Sequence, residues 1–264
     1  MDLALAGRVA LATGGSLGIG KAVARELARE GVNVVITARR KPALERTAKE
    51  IEAETGSRVV TLVSDTTDTE SVRHMVRSAA EELGRIDILV NGAAAPSGLV
   101  RNSVGEADPE LLLADINTKV VGYFRCAQAV APHMEANGYG RILNIGGLTG
   151  RSSHALSGLR NLAVVHMTKT LSDQLGPSGI TVNTVHPGVV ETEHIHDLYE
   201  KEATKRGSTA AQVEADFVAR TPIRRVLEAN EIAEAIAFLA SPRAAAITGE
   251  SLGIDGGLTR GIFL

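Results

Sequence analysis

The sequence predicts an α/β fold in which one parallel, seven-stranded sheet is covered by helices on both faces. Short β-branched and apolar runs alternate along the chain with longer stretches in which apolar residues recur every three or four positions. No repeat, low-complexity tract or Pro/Ser-rich linker interrupts this alternation, so we expect a single domain over residues 1–264. Such alternation is typical of doubly wound sheets, whose ligands lie beyond the carboxyl ends of the strands.

The apolar runs place seven strands along the chain, and helical spacing fills the intervals between them. The helix before the sixth strand is expected at about 155–176, where Gly176 and Pro177 end it. Pro132 is expected to kink the long helix before the fifth strand. The predicted strands are residues 8–13, 33–37, 58–63, 87–91, 141–145, 180–185 and 250–254.

Residues 189–225 break this alternation. They are polar and charged, and they are predicted to be helical with a break at Gly207. Their position after the sixth strand, on the ligand side of the sheet, favours a substrate lid. A surface excursion without a role in binding is the alternative that the sequence leaves open.

Composition and charge exclude several classes of protein. A net charge of −3 argues against nucleic-acid binding, which needs a dense basic face. Cys126 is the single cysteine, which excludes an intrachain disulfide and a multi-cysteine metal site. His186, His194 and His196 are close in sequence, but no carboxylate–histidine spacing accompanies them, so we expect no metal. No apolar run reaches about 18 residues and no signal peptide is recognisable, so we expect a cytoplasmic protein.

A glycine-rich loop follows the first strand, from Thr13 to Gly20 (TGGSLGIG). Gly14, Gly18 and Gly20 lie where a strand gives way to a helix. Such a turn lets the backbone approach a pyrophosphate, and the start of the helix offers free N–H groups to the anion. The spacing is not G-x-G-x-x-G, so this loop alone also fits an ordinary glycine-rich turn.

The loop is one member of a series of motifs. Asp65 follows the third strand, NGAA stands at 91–94, Asn117 lies in the next helix, and HPGVVET and ITGESLGIDGG occur at 186–192 and 247–257. In this order and spacing the series resembles the short-chain dehydrogenase/reductase family over about residues 7–260. The resemblance implies a Rossmann-type fold and an NAD(P)-dependent oxidoreductase that acts on a carbonyl or alcohol.

The resemblance also implies how the cofactor is held. The family's glycine-rich loop binds the dinucleotide, its counterpart of Asp65 holds the adenine, Pro187 and Gly188 match the segment that abuts the nicotinamide, and Thr192 matches the residue that contacts its carboxamide. The cofactor-binding residues expected in this way are Gly14, Ser16, Leu17, Gly18, Ile19, Gly20, Asp65, Thr66, Asn91, Gly92, Ala93, Asn161, Pro187, Gly188, Val190 and Thr192.

The end of the second strand favours NADP(H) over NAD(H). An acid there would hold the ribose hydroxyls of NAD, but the strand ends in Ala38, Arg39 and Arg40. A guanidinium can bind the 2′-phosphate of NADP in a bidentate fork, which an acid would repel. The alternative is that both arginines only begin the next helix in solvent.

The family's acid/base pattern is absent from this sequence. The resemblance implies a Ser, a Tyr with a Lys four residues later, and an Asn on the preceding helix. None of Tyr123, Tyr139 and Tyr199 has a lysine at that spacing. Counting back from Gly179, the family's Tyr and Lys positions fall on Ser157 and Asn161.

The family's Ser position falls on Gly147, and only Asn117 of the four residues remains. A serine hydroxyl is a much weaker acid than a tuned phenol, and loss of general acid catalysis costs typically 10²–10⁴-fold in rate. Ser157 is therefore no simple replacement for Tyr.

Five residues are candidates for the rebuilt site. Ser157 would orient a substrate oxygen, Asn161 would hydrogen-bond the ribose, and Asn117 keeps its family position. His154 has a suitable pKa for an acid but also fits a loop histidine in solvent. Arg160 would bind an anionic substrate or supply the missing positive charge, and it also fits a surface arginine.

Three functions remain open at this point. The first is an NADP-linked oxidoreductase with a rebuilt acid/base site. The second is a non-redox enzyme on the same fold, such as a dehydratase, isomerase or lyase. The third is a catalytically silent dinucleotide-binding protein. The family resemblance further implies a homotetramer or homodimer with helices at about 108–137 and 155–176 in one interface, and the expected ligand is a small molecule.

Overall fold

The computed structural model describes residues 2–95, 103–151 and 155–261. Its strands, in chain order, are β1 (Val9–Thr13), β2 (Asn33–Ala38), β3 (Val59–Val63), β4 (Ile88–Asn91), β5 (Gly140–Ile145), β6 (Ile180–Pro187), β7 (Val190–Glu191), β8 (Leu227–Glu228) and β9 (Ser251–Ile254). Seven of them pair in parallel in the order β3-β2-β1-β4-β5-β6-β9, and β7 pairs with β8 separately.

Helices connect these strands. They are α1 (Gly18–Arg29), α2 (Lys41–Thr55), α3 (Thr69–Leu83), α4 (Pro109–Ile116), α5 (Gly122–Asn137), α6 (Gly158–Leu175), α7 (Ile195–Arg206), α8 (Ala210–Arg220) and α9 (Ala229–Ala240). A π-helical segment, Asn117–Val121, joins α4 to α5. No helix in the described ranges is both long and apolar enough to cross a membrane.

The sheet has a buried apolar layer on each face. Because successive side chains of a strand point to opposite faces, Ala10 and Ala12 of β1 join the layer beneath α1, α2 and α9, whereas Leu11 joins the layer beneath α3, α5 and α6. Burial on both faces is why the central strands β1 and β4 begin in sequence with continuous apolar runs.

The chain changes direction across the sheet between β3 and β4. It builds outward from β1 to β3, then crosses back to place β4 on the other side of β1. Crevices at the carboxyl ends of the strands beside such a switch point are where α/β sheets bind ligands. The predicted fold is confirmed, and the predicted strands lie within two residues of the observed ones.

Two local details were not predicted. A departure from α-helical hydrogen bonding lies in the π segment before α5, and Pro132 lies inside α5, which continues to Asn137. The β7–β8 pair was not predicted, because two-residue strands carry no periodicity that a sequence can display.

The segment 189–225 forms α7 and α8 with a left-handed Gly207 between them. These helices have a small apolar cluster of their own, centred on Ile195, Tyr199 and Val213. Thr192 and His194, at the start of the segment, face the large cavity described below. The segment therefore borders the ligand side of the sheet while its two helices pack mainly on each other.

Candidate active site

A cavity of about 900 Å³ opens at the carboxyl ends of the central strands. The glycine-rich loop forms one wall, and Lys119, Tyr123 and Arg160 form part of the opposite wall. The sequence-predicted residues that line it are Gly14, Ser16, Leu17, Gly18, Ile19, Gly20, Arg39, Arg40, Asp65, Thr66, Gly92, Ala93, Arg160, Pro187 and Thr192.

The shape of the glycine-rich loop depends on two residues without side chains. Gly14 has φ +69°, and a Cβ there would lie 2.8 Å from the backbone carbonyl carbon of Gly92. A Cβ on Gly20 would overlap the carbonyl oxygen of Gly14. The loop is thus folded tightly between β4 and the first turn of α1, and it leaves a backbone-lined cradle that suits a dinucleotide.

The start of α1 already holds an anion. The Glu193 carboxylate accepts a 2.9 Å hydrogen bond from the backbone N–H of Gly18. Free N–H groups at the start of a helix favour carboxylates and phosphates alike. This contact and the cradle fit the pyrophosphate of a nicotinamide dinucleotide, which would displace the Glu193 carboxylate from this N–H.

The adenosine end of the cavity carries two cations and one anion. Arg39 and Arg40 are exposed at the end of β2 and face the cavity. Hydrogen bonds from the backbone and hydroxyl of Thr67, with the nearby charge of Arg39, hold the pKa of Asp65 below its usual range. Asp65 is therefore an ionised acceptor at neutral pH, beside guanidinium groups free to meet a phosphate.

The opposite end contains a buried lysine that the sequence analysis did not select. Lys119, in the π segment, is 3% exposed. Its Nζ donates 2.8 Å hydrogen bonds to the carbonyl oxygen of Gly146 and to Oδ1 of Asn161. Burial, with the nearby charge of Arg160, lowers the pKa of Lys119 to about 7, and Asp115 acts in the opposite direction.

Asn161 lies behind this lysine rather than in the cavity wall. It accepts from Lys119 and donates through Nδ2 to the hydroxyl of Thr149, 2.7 Å away. A Cβ on Gly147 would lie 2.7 Å from Asn161 Nδ2, so the amide occupies the space that a side chain at 147 would need. Gly147 thus leaves room for the Asn161 amide, and that amide in turn accepts the hydrogen bond from Lys119.

Arg160 is buried and paired, so its interpretation as a surface arginine is wrong. Its Nη1 lies 2.6 Å from Oδ1 of the fully buried Asp115, and both terminal nitrogens donate to the Ala95 carbonyl. With its charge balanced by Asp115, Arg160 is better suited to shaping the cavity wall than to supplying a free positive charge. At the same end of the cavity, Lys119 forms no ion pair with a carboxylate of the described residues; its Nζ donates to the Gly146 carbonyl and to Asn161.

Two other candidates, Asn117 and Ser157, are not brought to the cavity wall. The Asn117 side chain turns away and accepts a 3.0 Å hydrogen bond from Nη1 of Arg125. Ser157 is buried directly before α6, and within the described ranges it is not among the cavity-lining residues. His154 lies outside the described residues.

Three of the residues that were expected to bind the cofactor contact other parts of the protein. The amide of the buried Asn91 donates to Asn144 Oδ1. Gly188 packs so closely against Asp255 that a Cβ would lie 2.7 Å from its Cα, and Val190 is buried in β7. Within the described ranges these three do not line the cavity, although they support residues that do.

His186 is buried in β6. Its ring nitrogens lie 2.7 Å from the hydroxyl of Ser251 and within hydrogen-bonding distance of the Gly147 backbone. Burial lowers the pKa of His186 to about 4, so the ring is neutral near pH 7. In the described ranges no group of three or more His, Cys, Asp or Glu side chains is placed to hold a metal ion.

The sequence signal for this end of the site was the four-residue spacing of Asp115, Lys119 and Tyr123. That spacing puts the three side chains on one side of a helix, and in the structure all three are buried. Charged residues are almost never fully buried without a partner or a function. The π segment that carries Lys119 is a feature often found at functional sites.

Comparison with known proteins places this geometry in a family. A family model described as enoyl-(acyl carrier protein) reductase matches residues 14–259. The 3-oxoacyl-(acyl-carrier-protein) reductase FabG of Vibrio cholerae is 37% identical over 260 residues, which cover 96% of this chain and 98% of that one. This chain belongs to the short-chain dehydrogenase/reductase family.

Other members of the short-chain dehydrogenase/reductase family agree with this assignment. The NADPH-dependent reductase BacG of Bacillus subtilis is 31% identical over 259 residues, covering 97% of this chain and 99% of that one. An actinorhodin polyketide ketoreductase solved with NADPH superposes with a TM-score of 0.90 at 34% identity, covering 96% and 98% of the two chains. The protein is accordingly an oxidoreductase of the short-chain type with a Rossmann-type domain.

Proposed function

We propose that this protein is an NADP-dependent oxidoreductase that interconverts a small carbonyl compound and its alcohol at a site without the family's Ser, Tyr and Lys. The observation that carries the proposal is the single cavity that joins the glycine-rich loop and Arg39 at one end to Lys119 and Arg160 at the other. A dinucleotide and a small substrate both need such a continuous space.

The chain's own residues have distinct roles in this proposal. The loop from Gly14 to Gly20 holds the pyrophosphate, Asp65 accepts from the adenine, and Arg39 binds the 2′-phosphate. Pro187 and Thr192 lie against the nicotinamide. A reduced nicotinamide bound in this way supplies a hydride to the carbonyl carbon of the substrate. The relatives' use of NADPH supports the choice of dinucleotide.

A titration with NADPH and NADH, followed by the cofactor's own fluorescence, tests the cofactor part. The chain contains no tryptophan, so protein emission interferes little. We expect tighter binding of NADPH than of NADH, and NADPH oxidation with at least one member of a carbonyl panel. Binding without turnover of any carbonyl or alcohol would contradict the redox proposal, and product formed without change in cofactor absorbance would identify a non-redox enzyme.

Replacing Arg39 with alanine is expected to weaken NADPH binding by about 1.5–3 kcal/mol, the value of a hydrogen bond to a charged group. NADH binding should stay unchanged, because NADH lacks the 2′-phosphate. Arg77→Ala is the control, since Arg77 is an exposed arginine of α3 outside the cavity wall. Equal NADPH affinity in Arg39→Ala and the parent would show that Arg39 only begins α2 in solvent.

Two further features belong to the same proposal. The segment 189–225 acts as a substrate lid, which its contact with the cavity through Thr192 and His194 supports. The protein acts as a homodimer or homotetramer through α4, α5 and α6. Large apolar side chains on these helices are exposed in the single chain, namely Leu111, Leu113, Phe124, Leu159 and Leu162.

A further inference from the structure

The oxygen of a reduced carbonyl needs a proton, and the cavity wall contains few groups able to give one. The Tyr123 hydroxyl donates 3.1 Å to the Ile145 carbonyl, and burial raises its pKa far above neutrality. Arg160 is held by Asp115 and a guanidinium does not release its proton in proteins. Asp65 lies at the adenosine end of the cavity, and His194, which also faces the cavity, is exposed at the start of the segment 189–225.

We propose that Lys119 Nζ is the proton donor to the substrate oxygen in carbonyl reduction and the acceptor of that proton in the reverse reaction. The inference rests on the proposed function and names the group that performs its acid/base step. Asn161 and the Gly146 carbonyl are assigned as positioning groups that aim Nζ at the cavity.

The hydrogen bonds of Lys119 leave one position of its ammonium group for this exchange. An ammonium has three N–H donors, and two are held at 2.8 Å by Gly146 and Asn161. In the described residues no hydrogen-bond acceptor meets the third, and the side chain lines the cavity. The neutral amine keeps both hydrogen bonds with its two remaining protons and presents its lone pair where the third proton was.

Reduction leaves the π electron pair of the carbonyl on its oxygen, and a new O–H bond forms there as one N–H bond of Lys119 breaks, with the bonding pair staying on Nζ. The reductant is the nicotinamide cofactor of the proposed function. Water entering the open cavity then returns a proton to the amine.

The surroundings of Lys119 make both protonation states accessible near neutral pH. Burial is the main cause that lowers its pKa to about 7. The charged groups that face it are Arg160 from α6, which lowers its pKa, and Asp115 from α4, which raises it. Tyr123 and His186 are uncharged in this range, since their pKa values are raised and lowered respectively by burial. A pKa near the operating pH is what general acid/base catalysis favours.

The experiment compares Lys119→Met and Lys119→Arg with the parent in three measurements. The first is NADPH binding by fluorescence, which should stay within about threefold of the parent if both variants fold. The second is the single-turnover rate of NADPH oxidation with a carbonyl that the parent reduces. This rate should fall by about 10²–10⁴ in both variants, because methionine has no proton to give and arginine keeps its protons.

The third measurement needs no cofactor. In protein labelled with ¹⁵Nζ-lysine, the resonance missing from Lys119→Met identifies Lys119, and it should titrate near pH 7 in the parent. The pH profile of the parent should agree, with a reduction rate that is constant below about pH 7 and falls tenfold per unit above it. Asn161→Ala removes an acceptor that stabilises the ammonium, so it should move this fall to lower pH.

Lys169→Met is the matched control, because Lys169 is an exposed lysine of α6 whose Nζ lies 3.7 Å from Oδ1 of Asp173. Its rate and pH profile should equal those of the parent. Unchanged rates in Lys119→Met, or a Lys119 resonance that titrates near 10.5, would overturn this assignment and leave the proposed function standing. A parent protein that binds NADPH but reduces no carbonyl would overturn both.

Discussion

Replacing Asp115 with alanine is expected to lower the free energy of unfolding by about 3–5 kcal/mol, because it leaves a buried arginine without its counter-ion. Asp115 is fully buried, and its Oδ1 lies 2.6 Å from Nη1 of Arg160, whose side chain is 7% exposed. The variant should unfold at a lower midpoint concentration of urea, while the slope of the unfolding free energy against urea concentration stays unchanged.

An exposed ion pair serves as the control for Asp115. Asp173→Ala removes the partner of Lys169 in a pair whose side chains are 64% and 69% exposed, and exposed pairs contribute about 0–1 kcal/mol. If both alanine variants unfolded at the parent's urea concentration, the pairing of Asp115 with Arg160 would not contribute to stability. The Asp115 variant should also move the fall of the reduction rate to lower pH, since Asp115 raises the pKa of Lys119.

Replacing Gly14 with alanine is expected to affect both stability and cofactor binding. The residue has φ +69°, where an L side chain costs about 1–2 kcal/mol, and its Cβ would lie 2.8 Å from the Gly92 backbone. Relief of that overlap moves the loop away from β4 and adds about 1–3 kcal/mol. The displaced loop should weaken NADPH binding by roughly tenfold or more, which corresponds to about 1.4 kcal/mol.

The variant Gly56→Ala separates the conformational cost of a positive φ from the cost of steric overlap. It ends α2 with φ +71°, and a Cβ there would meet nothing within 4 Å. Gly56→Ala should therefore show only the conformational cost of about 1–2 kcal/mol and bind NADPH as the parent does. Equal losses of stability in the two variants, with equal NADPH affinity, would mean that the contact of Gly14 with Gly92 is unimportant.

The fold and the cofactor end were predictable from sequence because their signals are local. A strand buried on both faces is mostly apolar, as β1 (Val9–Thr13) is in four of its five residues, and the spacing of Gly14, Gly18 and Gly20 reflects a turn made by eight consecutive residues. Neither inference requires knowledge of which distant residues meet. The shortest elements, β7 and β8, were missed because two residues are too few to show a periodicity in the sequence.

The chemical end was not predictable in the same way, because its contacts join distant positions. Lys119 reaches Asn161 across 42 positions, and Arg160 reaches Asp115 across 45. Counting along the chain placed Asn161 at the family's Lys position, but it could not show that another lysine fills the space beside it. The π segment also changes which side chains of the helix face the sheet, and Asn117, selected for its family position, donates no group to the cavity because its side chain accepts from Arg125.

Reduction with NADPH that carries deuterium at both C4 positions tests the central claim, that this site transfers hydride between a nicotinamide and a carbonyl carbon, most directly. The carbonyl is one that the parent protein consumes, and mass spectrometry of the isolated product counts and locates the label. We expect one deuterium per molecule, on the carbon that bears the new hydroxyl group. A product without deuterium would contradict the claim and assign the cavity to non-redox chemistry.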